Sequence, residues 1–93
     1  MESANQAMRE VIVENTLGVH ARPATLLAKK AREFEADIYI DLGSDTADLS
    51  SMMSILMLAA THGSRLLIRA EGADAPAAVE AIATLFADKF DEE

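Results

Sequence analysis

The sequence predicts an α+β domain in which one antiparallel sheet carries all of its helices on a single face. Segments with the two-residue period of half-buried strands alternate with segments of helical period, in the order β-α-β-β-α-β-α. Each strand has one apolar side and each helix one apolar stripe, so a layer of helices against one face of one sheet buries every stripe together. Length sets the third constraint: 93 residues, 51% of them hydrophobic, suffice for one core and not for two. Right-handed crossovers make all four strands antiparallel if each leaves room for one strand between its ends. The pattern does not choose the strand order.

The first strand centres on Glu10–Glu14, where Val11 and Val13 alternate with charged neighbours and Ile12 faces the other way. After Gly18 the period changes. Ala24, Leu27, Ala28, Ala31 and Phe34 recur every three or four residues and predict a helix over residues 21–33, with Pro23 tolerated in its first turn. Asp37–Asp41 alternates with Ile38 and Ile40 inward. Leu42–Asp45 supplies turn residues and Thr46–Leu49 alternates again, which predicts a hairpin with a short acidic edge strand. Ser50 or Ser51 suits the N-cap of a helix over Met52–Thr61, which Gly63 ends. Arg65–Glu71 is the fourth strand. Gly72-Ala73-Asp74 makes a turn and an acidic cap, and Val79, Ile82, Ala83, Phe86 and Phe90 form the stripe of the last helix. Residues 1–7 are expected as a flexible tail, residues 8–90 as the domain, and Asp91-Glu92-Glu93 as a solvated acidic end.

Composition excludes several function classes. A formal charge of -8 repels nucleic-acid backbones and argues against nonspecific DNA or RNA binding. The chain has no cysteine, so disulfides, thiolate metal sites and cysteine nucleophiles are absent. The N-terminal residues lack the basic start and apolar core of a secretory signal, and no apolar run reaches the roughly 18 residues a membrane span needs. A soluble, cytoplasmic monomer is expected, without membrane insertion.

His20 is the residue in which the pattern concentrates chemistry. It stands where the first strand gives way to the first helix, facing free N–H groups and the positive end of the helix dipole. That field disfavours an added proton and leaves a ring nitrogen lone pair for attack on phosphorus. The same N–H groups, with Arg22, can then receive phosphoryl oxygens. No other residue set suggests an enzyme: the two histidines have no metal-site spacing, no glycine-rich loop could cradle a nucleotide, and no cofactor or metal is implied. A phosphoryl group must therefore come from a partner. Judged on position alone, a histidine at a helix start is more often a plain turn residue than a catalyst.

Leu17-Gly18-Val19-His20-Ala21-Arg22-Pro23-Ala24 resembles the active-site signature of HPr, the histidine-containing phosphocarrier family of the bacterial phosphoenolpyruvate-dependent phosphotransferase system. Ser50–Leu58, followed by Gly63 and Ala70–Asp74, resembles the family's second helix and final strand at the expected distance. The resemblance implies an open-faced β-sandwich with strands ordered 1-4-2-3. It implies that His20 accepts a phosphoryl group at Nδ1 from enzyme I and passes it to an enzyme IIA protein, with Arg22 as the phosphate partner. The chain would then be a stoichiometric transfer intermediate rather than an independent catalyst. Ser51 matches the serine that a separate serine kinase modifies in many members, although a helix cap explains Ser50 and Ser51 equally simply. The Leu-Gly-x-His form, the Leu-Met-Leu of the second helix and the Phe90–Glu93 ending look more like the nitrogen-related branch, NPr.

Met52, Met53, Leu56 and Met57 cannot all be buried by a helix with one apolar face, so one or two are expected exposed beside His20 as a docking patch. The resemblance implies that the surface around the histidine and the second helix meets donor and acceptors, with Met52 and Leu56 at matching positions, and Met52, Met53 and Leu56 are the docking residues expected. Arg22, Lys29, Lys30 and Arg32 concentrate positive charge on the first helix, which could steer an acidic partner. His62 reads as an exposed loop residue and Tyr39 as lying on the solvent face of the sheet. The alternative function is a regulatory binding module whose contacts are switched by phosphorylation at His20 or Ser51.

Overall fold

The computed structural model describes residues 5–92. Its elements are β1 (Gln6–Ile12), α1 (Ala21–Ala31), β2 (Asp37–Leu42), β3 (Asp45–Asp48), α2 (Met52–Leu58), β4 (Arg65–Glu71) and α3 (Ala75–Ala87), followed by a short 3-10 turn at Lys89–Asp91. The sheet runs β1-β4-β2-β3 with every pair antiparallel. β4 fills the gap between β1 and β2, and β2 fills the gap between β3 and β4, as antiparallel closure of two crossovers requires.

Alternation decides which face is covered. Ile38 and Ile40 of β2 pair in register with Ala70 and Ile68 of β4, and these four side chains are buried beneath the helices. The opposite face is open and mixed: Arg69 lies 4.9 Å over the ring of Tyr39 and bonds both oxygens of Asp41, at 2.6 and 3.1 Å. Tyr39 is therefore on the outer face, as the alternation predicts. The hairpin between β2 and β3 closes with two residues, Gly43 and Ser44, and Gly43 takes the positive φ of 60° such tight hairpins use. On the covered side Leu27, Ile82 and Phe86 interlock over the sheet, each such burial contributing about 2 kcal/mol.

Several boundaries differ from those the sequence suggests, for physical reasons. β1 begins at Gln6, inside the expected flexible tail, because pairing with β4 extends to Gln6 opposite Glu71 and the Asn5 carbonyl accepts the Gly72 N–H at 2.7 Å. Residues 1–4 of that tail lie outside the described residues. α2 stops at Leu58, short of Thr61, and its left-handed terminal residue is Ala59 (φ 55°) rather than a glycine. Asp74 stands at the N-cap of α3 but makes no side-chain cap bond. Its carboxylate instead takes the N–H groups of Glu35 and Ala36, at 2.9 and 2.8 Å, tying the α1–β2 connection to α3. Phe90 is buried but off the helix, in the final turn, with its ring edge-on to Phe86 at 5.0 Å. The three residues Lys89, Phe90 and Asp91 all have positive φ, a left-handed turn that reverses the chain after α3.

Candidate active site at the start of the first helix

The segment after β1 is locked to the loop between α2 and β4 before the site begins. Val13 exchanges backbone hydrogen bonds with Ser64 and Gly63, at 2.9 and 2.8 Å, and Val19 N–H donates to the Ala60 carbonyl at 2.9 Å. Between these anchors residues 15–18 form a turn closed by Gly18 N–H to the Asn15 carbonyl, with Asn15 Nδ2 donating to the Gly18 carbonyl at 2.7 Å. Gly18 has φ 72°, and a Cβ there would meet the Ala60 carbonyl oxygen at 2.7 Å. Only glycine lets the turn press this closely on the neighbouring loop.

His20 follows as the N-cap residue of α1, extended (φ -96°, ψ -162°), with its carbonyl accepting the Ala24 N–H at 2.9 Å. Its side chain makes no cap bond, so the N–H groups of Ala21 and Arg22 have no intrahelical acceptor and stay at the positive end of the dipole. Pro23 occupies the first turn, where no N–H is needed, and is itself buried.

The ring of His20 meets the far end of the chain. Nε2 lies 2.9 Å from Oε2 of Glu92, and Arg22 Nη1 donates to the same oxygen at 3.2 Å and to the Phe90 carbonyl at 2.7 Å. Asn15, wholly buried, donates from Nδ2 to the other Glu92 oxygen at 3.0 Å. The expectation of a solvated acidic tail is overturned at Glu92, whose side chain is only 17% exposed. Glu93 lies outside the described residues. Burial pushes the Glu92 carboxyl up, but the bonds from Asn15 and His20, the adjoining imidazole and the Arg22 guanidinium together hold it below the usual carboxylate range. An ionised carboxylate only accepts, so Nε2 must donate. In the neutral ring this leaves the lone pair on Nδ1.

The family model described as "PTS HPr component phosphorylation site" matches residues 7–88. The chain belongs to the HPr family. It is 44% identical over 84 residues to "Phosphocarrier protein NPr" of Shewanella violacea, covering 90% of this chain and 92% of that one. It is 40% identical over 86 residues to "Phosphocarrier protein HPr" of Treponema pallidum, covering 92% and 98%. Among solved structures it resembles HPr from Bacillus anthracis (TM-score 0.83, 38% identity, 87% of this chain and 96% of that one). It also resembles the HPr-C-His of Thermoanaerobacter tengcongensis (TM-score 0.89, 31% identity, 94% and 98%). The family accounts for the strand order 1-4-2-3 and assigns this HPr-type chain a phosphocarrier function in the phosphotransferase system.

The remaining predicted residues fall around this HPr-type site. Met52 opens α2 against α1, its Sδ 3.5 Å from Thr25 Oγ1. Met53 and Met57 are well exposed, while Leu56 is half-buried. Leu17, exposed on the turn before His20, adds apolar surface that the notion of a methionine patch alone does not include. Ser51 is the N-cap of α2 and its hydroxyl accepts the Ser54 N–H at 3.1 Å, whereas Ser50 donates to the Asp48 carboxylate at 2.8 Å. His62 is exposed in the loop after α2. Among the described residues no helix is long and apolar enough to cross a membrane.

Sequence reasoning missed Asn15 and Glu92. Asn15 carried one weak signal, a polar residue directly between a strand and a glycine turn. Glu92 carried none, since an acid in a terminal acidic run looks like solvated charge and its partner His20 is 72 residues away.

Proposed function

We propose that His20 receives a phosphoryl group at Nδ1 from enzyme I and delivers it to an enzyme IIA protein, with Arg22 holding the phosphoryl oxygens. The observation that carries this reading is the bond from His20 Nε2 to Glu92, which commits one ring nitrogen to a proton and leaves the other as a nucleophile. Among the described residues only Nη1 of the Arg22 guanidinium is engaged, so Nε and Nη2 keep donors for the phosphoryl oxygens. The uncapped first turn of α1 adds its N–H groups and dipole.

Transfer of this kind needs position and charge neutralisation rather than elaborate covalent machinery, which is why so small a domain suffices. Leu17, Met52 and Met53 form the apolar surface beside the histidine on which donor and acceptor dock in turn, and flexible methionines suit repacking against more than one partner. The basic residues of α1 steer acidic partners toward it.

Incubation with enzyme I and phosphoenolpyruvate, followed by mass measurement, tests the reading. One acid-labile phosphate is expected in the native chain and none in His20→Ala. Retention of the phosphate by His20→Ala would refute the assignment. Offering the charged chain to sugar-type and nitrogen-type enzyme IIA proteins then identifies the branch it serves.

A further inference from the structure

The chain has no cysteine, so its methionines carry all of its sulfur. Three of them, Met52, Met53 and Met57, fall on α2, a helix of seven residues in which only Ile55 is buried. That helix stands beside the active turn: just past its end the Ala60 carbonyl takes the Val19 N–H at 2.9 Å. The three sulfurs are not equivalent. Met52 is tucked toward α1, with Sδ 3.5 Å from Thr25 Oγ1. Met53 and Met57 are one turn apart along one side of the helix and are 65% and 77% exposed. Leucine there would supply similar apolar area with about the same helix propensity, so what methionine adds is a flexible thioether open to oxidation. Met8 gives an internal comparison. It is 66% exposed, as open as Met53, but it pairs with Arg69 of β4 and so lies on the sheet face away from the helices.

We propose that Met53 and Met57 form a reversible oxidation site through which a hydroperoxide slows phosphoryl transfer between this chain and its protein partners. The proposal rests on the reading of the α2 surface as the place where donor and acceptor dock. In the step itself a sulfur lone pair attacks one peroxide oxygen, the S–O bond forms and the O–O bond breaks. The departing hydroxide takes the proton of the transferred oxygen and leaves as water. Sulfur is oxidised by two electrons and the peroxide is reduced by two, with no proton drawn from the protein. The product is a polar sulfoxide in place of an apolar side chain, and methionine sulfoxide reductases reverse it. In the free chain water solvates the new oxygen, so the fold is not penalised. Under a docked partner that oxygen loses water without gaining a donor, and the cost falls on the complex alone. Neither His20 nor Arg22 is altered, so the transfer chemistry is intact.

The test treats the full chain with hydrogen peroxide, removes the peroxide, and locates the added oxygens by peptide mass mapping. His20 is then charged either by enzyme I with phosphoenolpyruvate or by phosphoramidate, a small donor that needs no protein docking. Oxidation at residues 53 and 57 is expected to slow charging by enzyme I about tenfold and to leave phosphoramidate charging and Tm unchanged. Sulfoxide reductase should restore the rate. The double variant Met53→Leu/Met57→Leu should charge equally fast before and after peroxide, whereas Met8→Leu should remain as sensitive as the native chain. Native-rate charging of the oxidised chain by enzyme I overturns the proposal. Peroxide sensitivity retained in the double variant overturns it too, and so does an equal slowing with phosphoramidate. Met53→Gln/Met57→Gln, polar without oxidation, separates the two readings. If it charges from enzyme I at the native rate, the docking reading fails and the proposal with it. If it is slow while the oxidised native chain is not, docking stands and the oxidation site falls.

Discussion

Replacing Gly18 by alanine should destabilise the protein much more than the same change at Gly43, and the difference measures how tightly the active-site turn is pressed on the α2–β4 loop. Both glycines have positive φ, 72° and 60°, so both substitutions incur the left-handed penalty of about 1 kcal/mol. At Gly43 nothing lies within 4 Å of an added Cβ, and the penalty is the whole effect. At Gly18 the Cβ would meet the Ala60 carbonyl oxygen at 2.7 Å and Thr61 Cα at 3.0 Å, both backbone atoms without the rotamer freedom to retreat. The carbonyl is also the acceptor for Val19 N–H, so moving it strains that bond. Overpacking of this sort adds about 1–3 kcal/mol, for a total of about 2–4 kcal/mol. In a domain this size that corresponds to a fall in Tm of roughly 8–32 °C, against about 4–8 °C for Gly43→Ala. Thermal unfolding followed by circular dichroism compares the two directly. Equal shifts would refute the close approach, and with it the account of how His20 is placed.

Arg22→Ala should slow phosphorylation of His20 by about a hundredfold while lowering stability by less than about 1 kcal/mol, since the side chain is half exposed; a large Tm loss with normal transfer would contradict this. Ser51→Ala removes the oxygen that accepts the Ser54 N–H and should cost about 1 kcal/mol, or a Tm drop of about 4–8 °C. Acid should destabilise the fold through carboxyls held below their ordinary range. Asp74 is lowered chiefly by the Glu35 N–H and Asp41 chiefly by its bond from Arg69. Their contribution is present above the unfolded carboxylate value of about 3.9 and lost as pH falls through the lower folded values. Denaturant midpoints measured from neutral pH down to about pH 2 should therefore decline below about pH 4, and Asp74→Asn should flatten part of that decline.

How much was legible in the sequence follows from the range of the forces involved. Strand β4 and the start of α1 were read to the residue because a two-residue period and a period change at a glycine are local signals. The extent of β1 was not, because Gln6 and Ala7 become strand only by pairing with Glu71 and Ala70, a contact set by the sheet. Asp74 suits a cap by type, yet tertiary packing offered it two better donors across the fold.

The active site divides the same way. That His20 sits at a helix N-terminus with Arg22 two positions on is a local matter, for which residue type and spacing suffice. Which ring nitrogen is tied down depends on a contact made across the fold. Burial of Phe90 and a left-handed turn swing Glu92 back across the molecule to a ring 72 residues earlier, and no local pattern encodes a contact made by the closing of the whole chain.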